Sequence, residues 1–127
     1  MNKICTDLKQ SKKLIELGID VNTADMHHVL IDSDEEVYDI GVGNYIGILP
    51  NYPAWSLAAL LEILPNDEVT STTVTKGGWN IKPERYLAIW FAEYETEEHD
   101  NDFTLSEDTP LDAAFQMVCW LKENEKL

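Results

Sequence analysis

Residues 85–91 place Tyr86, Ala88 and Trp90 on one face of an extended chain and Leu87, Ile89 and Phe91 on the other. Side chains alternate along a strand, so a strand that is apolar on both faces must be covered on both faces. The run therefore reads as a central strand of a sheet. Around it the sequence offers other short β-prone runs. Residues 28–31 and 37–40 flank the acidic turn Asp32-Ser33-Asp34-Glu35-Glu36 and predict a hairpin. Residues 69–75 are Thr-rich and β-branched, and Lys76-Gly77-Gly78 before Trp79-Asn80-Ile81 predicts a tight reversal. Residues 103–105 predict one more short strand.

Three helices accompany these strands. Leu8, Leu14, Ile15 and Leu17 approximate a helical stripe over residues 6–17, with Thr6 as the expected cap and Gly18-Ile19 as the stop. Pro53 is expected at the first position of a second helix, apolar on nearly every side, that runs to residue 64 and ends at Pro65-Asn66. Ser56 is then internal to it. Thr109-Pro110-Leu111-Asp112 reads as a third helix start: Thr as cap, Pro at the first position and Asp reaching back from the third. That helix is expected to reach about Asn124, with Leu111, Ala114, Phe115, Val118 and Cys119 on one face. The expected architecture is one α+β domain over residues 1–127, a small, mainly antiparallel sheet of four to six short strands with about three helices packed on one face.

Composition supports a packed chain: 44% of its 127 residues are hydrophobic, including four Trp, five Tyr and three Phe. The charge is lopsided, with 24 acidic residues against nine basic ones and a formal net charge of −15. No Lys or Arg lies between Lys13 and Lys76, or between Arg85 and Lys122. A groove that tracks phosphates has little to be built from, so direct nucleic-acid binding is not expected. The longest apolar stretch, residues 55–64, is too short to span a bilayer and is interrupted by Ser56 and Glu62, and the start of the chain lacks a signal-peptide pattern. A cytoplasmic protein without a membrane anchor is expected. Cys5 and Cys119, far apart and outside any C-x-x-C spacing, read as free thiols, Cys119 in the core.

Motifs of chemistry fail on their spacing. Gly41-Val42-Gly43-Asn44-Tyr45-Ile46-Gly47 approaches the phosphate-binding glycine pattern, but its third glycine comes one residue late and no helix is expected to follow. Residues 41–53 read instead as a loop. His27 and His28, adjacent in a strand, point to opposite faces and are poorly placed to hold one metal; His99 lies in an acidic loop. Asp100-Asn101-Asp102 lacks the glycine and closing glutamate of a calcium loop. No catalytic residue, metal or cofactor is implied.

Two features remain as candidate partner contacts. Trp79, beside the glycine pair, stands apart from the core-patterned Trp55, Trp90 and Trp120. Residues 93–102 carry six carboxylates, Glu93, Glu95, Glu97, Glu98, Asp100 and Asp102, which repel one another and are expected to form a solvated connection.

The opening run of residues 4–20, the Thr23-Ala24-Asp25-Met26 segment, Pro53-Ala54-Trp55-Ser56-Leu57 and the closing Thr109-Pro110-Leu111-Asp112-Ala113-Ala114 with Trp120-Leu121 resemble small uncharacterised proteins encoded in prophages and mobile elements of gut anaerobic bacteria. The resemblance spans most of the chain and implies no activity, cofactor or catalytic residue. With the acidity, it favours a non-enzymatic accessory or protein-interaction role, with a basic host protein as partner, and in its sharper form a mimic of nucleic-acid charge. The alternative is a small-molecule binding protein or enzyme whose pocket forms under the 41–53 loop.

Overall fold

The structure, a computed structural model, describes residues 4–32, 34–35, 37–43, 52–65, 70–82, 85–96 and 103–127. Helix α1 spans Leu8–Glu16. Its cap is Asp7 rather than Thr6. The Asp7 carboxylate accepts the Gln10 N–H at 2.8 Å and the Gln10 side-chain oxygen accepts the Asp7 N–H at 3.1 Å, a closed capping box. Thr6 is excluded from that role because its hydroxyl is bound elsewhere in the interior. The helix stops as expected: Gly18 has φ +86°, its N–H bonds to Ile15 O, and the Ile19 N–H bonds to Leu14 O. This is the Schellman closure, with Ile19 returned to the core beside Leu14.

A short 3-10 turn, Val21–Thr23, leads into strand β1, Met26–Asp32, which pairs antiparallel with β2, Val37–Val42. The expected hairpin is present, with a register shift between Leu30 and Asp32 that leaves Ile31 as the extra residue. Strand β3, Tyr52–Ala54, pairs with the other side of β1, giving the order β2-β1-β3.

The second helix therefore starts later than its proline suggested. Pro53 lies opposite His27 in an edge strand, where a missing N–H is tolerated. Helix α2 spans Leu57–Ile63 and is capped by Ser56, whose hydroxyl accepts the Ala59 N–H at 3.2 Å. Ser56 is thus a cap and not a residue of the helix interior.

Strands β4 (Thr70–Lys82), β5 (Arg85–Thr96) and β6 (Phe103–Glu107) form a second antiparallel sheet in the order β4-β5-β6. The strand apolar on both faces is central, as its alternation predicts. Gly77-Gly78 does not reverse the chain: the register shifts between Gly77 and Trp79 and β4 continues to Lys82, so the pair makes a bulge and the hairpin closes after it. Strand β5 also runs further than expected, so Glu93 and Glu95 occupy strand positions opposite Thr73 and Ser71.

Helix α3, Pro110–Glu123, begins as predicted, with the Thr109 hydroxyl accepting the Asp112 N–H at 3.1 Å and Pro110 in the first turn. It ends in a second Schellman closure, Glu125 N–H to Lys122 O and Lys126 N–H to Leu121 O, with Glu125 at φ +56°. The α+β class holds, with three α-helices among the described residues. The single sheet of four to six short strands does not: each sheet has three strands, and β4 and β5 are long. Nor do the helices share one face of a sheet. Helix α3 packs on β4, β5 and β6, α2 packs on α3, and α1 contacts β3. Between them lies a continuous core in which Leu14, Trp55, Leu60, Met117, Val118 and Leu121 are fully buried, with the ring of Tyr94 of β5 tilted at 53° against Trp120, centroids 5.6 Å apart. Among the described residues no helix is long and apolar enough to cross a membrane.

Candidate functional site

Among the described residues, both histidines, Thr6, Ser11 and Ser56 are held in structural bonds and both thiols are buried. Thr6 is fully buried between α1 and the first sheet. Its N–H donates to Trp55 O at 2.8 Å, its hydroxyl oxygen accepts the Trp55 N–H at 3.1 Å and lies 2.8 Å from the buried Ser11 hydroxyl, and its carbonyl meets His28 Nε2 at 2.8 Å. A carbonyl only accepts, so His28 donates from Nε2. By the same reasoning His27 donates from Nδ1 to Gly43 O at 2.8 Å. The two rings leave opposite faces of β1, as adjacency in a strand requires. Both are buried.

Ser56 is similarly committed. Its N–H donates to Asp25 Oδ1 at 2.9 Å and its hydroxyl to Asp25 Oδ2, while its oxygen caps α2. Cys5 and Cys119 are both buried free thiols. Burial, then the charges of Asp25 and Asp7, pushes the Cys5 thiol up. Burial, followed by Glu123, pushes the Cys119 thiol up to about 11, with Lys13 acting in the opposite direction. Neither is a nucleophile near neutral pH. Among the described residues no three His, Cys, Asp or Glu side chains converge as a metal site.

Two surface features remain. One is an open groove of about 520 Å³ between α1 and α3, where Asp7, Lys9 and Lys13 line one wall and Phe115, Cys119 and Glu123 the other. Lys9 and Lys13, one helical turn apart, share the lining with the carboxylates of Asp7 and Glu123 and the amides of Gln10 and Gln116, around Phe115 and Cys119. Its mixed charge can hold a small anion or zwitterion. The i, i+4 spacing of Lys9 and Lys13 is the sequence signal for it, in a chain whose acids outnumber its bases 24 to nine.

The second feature is the outer edge of β2. Gly43 N–H bonds to Asp25 O at 2.8 Å, so Gly43, and by alternation Gly41 and Asp39, face β1. The N–H and C=O groups of Tyr38, Ile40 and Val42 then point outward. Among the described residues no strand pairs with them. Val42 is 81% exposed and Ile40 43%.

Of the expected contact residues, Glu97, Glu98, Asp100 and Asp102 lie outside the described residues, as does most of the 41–53 loop with its expected pocket. Glu93 and Glu95 belong to β5 rather than to a connection, and Trp79 sits in β4 beside the bulge rather than at a hairpin turn. No protein-family model, curated protein or solved structure matches the chain.

Proposed function

We propose that this protein is a non-enzymatic interaction protein of phage or mobile-element origin that binds a basic protein, in the sharper form by mimicking nucleic-acid charge. The supporting observation is the β1–β2 hairpin. Residues 26–43 contain the acids Asp32, Asp34, Glu35, Glu36 and Asp39 and no Lys or Arg, while the outer strand leaves Ile40 and Val42 in solvent. A surface that joins one sign of charge to exposed apolar groups suits a cationic partner with its own apolar contacts. The commitment of His27, His28, Ser56 and both thiols to structural bonds or burial supports a binding role over a catalytic one.

The test is affinity capture of tagged protein from a host lysate at low and high salt, followed by titration of the purified captured protein. Direct binding of a basic protein that weakens as salt rises is the expected result. Recovery of nothing above background removes the reading.

The α1–α3 groove favours a second reading, a small-molecule binding protein, with the pocket placed away from the 41–53 loop. Its test is an NMR titration with small carboxylates. Saturable shifts at Lys9, Lys13 and Phe115 support it, and their absence disposes of it.

A further inference from the structure

Resting on the interaction reading, we propose that the outer edge of β2 is the docking edge, and that an extended segment of the partner, alternating basic and apolar residues, adds to it as a fourth strand of the first sheet. Strand addition needs outward backbone groups, and Tyr38, Ile40 and Val42 supply them. It also needs side-chain recognition on each face. Tyr38, Ile40 and Val42 share one face with Met26, His28 and Leu30, their partners across the ladder. Tyr38 is half-buried against Tyr52, with ring centroids 6.1 Å apart, and Lys12 stands 5.2 Å above the Tyr52 ring. The Tyr38 ring is thereby engaged within the fold. The contact on this face therefore centres on Ile40 and Val42, and apolar partner residues fit there.

Asp39 dictates the other face. Its side chain alternates to the face away from Ile40, where the neighbouring strand positions of a partner would meet it, and the acidic turn with the exposed Asp32, Asp34 and Glu35 lies at the same end of the hairpin. Basic residues fit there. The Asp39 carboxylate now accepts the Ile40 N–H at 2.8 Å, occupying an outward backbone donor. An incoming strand replaces that bond with its own carbonyl and releases the carboxylate to pair with a lysine or arginine. The same charges disfavour pairing with a second copy of the chain, because two such edges bring like carboxylates together.

The test uses the full chain and two fluorescent heptapeptides of equal composition, one alternating lysine and valine and one with the lysines and valines in separate blocks. The alternating peptide is expected to bind, with amide shifts confined to residues 38–42, and the block peptide to bind at least about tenfold more weakly. Ile40→Pro removes an outward N–H without touching the ladder to β1, and Val42→Asn removes an exposed apolar contact. Each is expected to weaken the alternating peptide by roughly tenfold while leaving the melting temperature of Val42→Asn unchanged. Asp39→Asn is expected to weaken binding and flatten its salt dependence. Equal binding of both peptides, shifts elsewhere, or indifference to Val42→Asn overturns the proposal, as does dimerisation through this edge. If a partner captured from lysate still binds Val42→Asn and Ile40→Pro normally, the docking edge is wrong and the interaction reading stands.

Discussion

Thr6 and Trp55 exchange two hydrogen bonds, the Thr6 N–H to the Trp55 carbonyl at 2.8 Å and the Trp55 N–H to the Thr6 hydroxyl at 3.1 Å, although 49 residues separate them. This pairing clamps the segment before α1 to the segment before α2. It holds Trp55, fully buried, at the centre of the core.

Replacing Thr6 with Val keeps the shape and removes the hydroxyl, leaving the buried Trp55 N–H and the Ser11 hydroxyl each short of a partner. Urea denaturation is expected to show a loss of about 1–3 kcal/mol. Thr6→Ser, which keeps the hydroxyl, is expected to lose less than half of that.

Gly41 lies opposite His27, and a Cβ built on Gly41 would come within 2.3 Å of His27 Nε2. Gly41→Ala must displace the ring and strain its bond to Gly43, at an expected cost of about 1–3 kcal/mol. In a His27→Ala background the same change should cost almost nothing. Equal costs in the two backgrounds would show that the ring is not what excludes the methyl group.

The two Schellman closures differ in the residue at their left-handed position, Gly18 in one and Glu125 in the other. A Cβ at Gly18 meets nothing closer than Lys122 Cε at 3.8 Å, so Gly18→Ala probes backbone conformation alone. Thermal unfolding is expected to show a loss of about 1–2 kcal/mol for Gly18→Ala and a gain of up to about 1 kcal/mol for Glu125→Gly.

For Cys119 the folded-state value of about 11 lies above the ordinary 9.0. Between those values the folded chain keeps a proton that the unfolded chain has lost. The thiol's contribution to stability is therefore complete below about pH 9 and disappears as pH rises toward 11. Cys119→Ala should remove that part of the alkaline destabilisation. At pH 8, iodoacetamide is expected to modify the native thiols at least about tenfold more slowly than the unfolded ones.

The ring nitrogens provide a test without mutation. In the neutral form His27 is expected as the Nδ1–H tautomer and His28 as the Nε2–H tautomer, distinguishable by their nitrogen chemical shifts.

Where the chain's local chemistry is decisive, its structure was legible. The closure at Gly18, the Thr109-Pro110 start of α3, the acidic hairpin turn and the central place of β5 all follow from interactions within a few residues or from the alternation of one strand. What the sequence could not convey was competition between local and distant partners. Thr6 could have capped α1, but the Trp55 N–H and Ser11 claimed its hydroxyl and Asp7 capped instead. Pro53 suits a helix start equally well as an edge strand, and pairing with β1 decided it. Gly77-Gly78 permits a turn or a bulge, and the register with β5 selected the bulge. The α1–α3 groove and the β2 edge have the same origin: each exists only because tertiary packing set one element beside another and left a third side open. The sequence by itself determined the α+β class, the closure of α1 at Gly18, the capped start of α3 and the imbalance of charge. The tertiary structure alone decided which residues share a sheet and which polar groups find distant partners, because those choices compare bonds between segments that no local window contains.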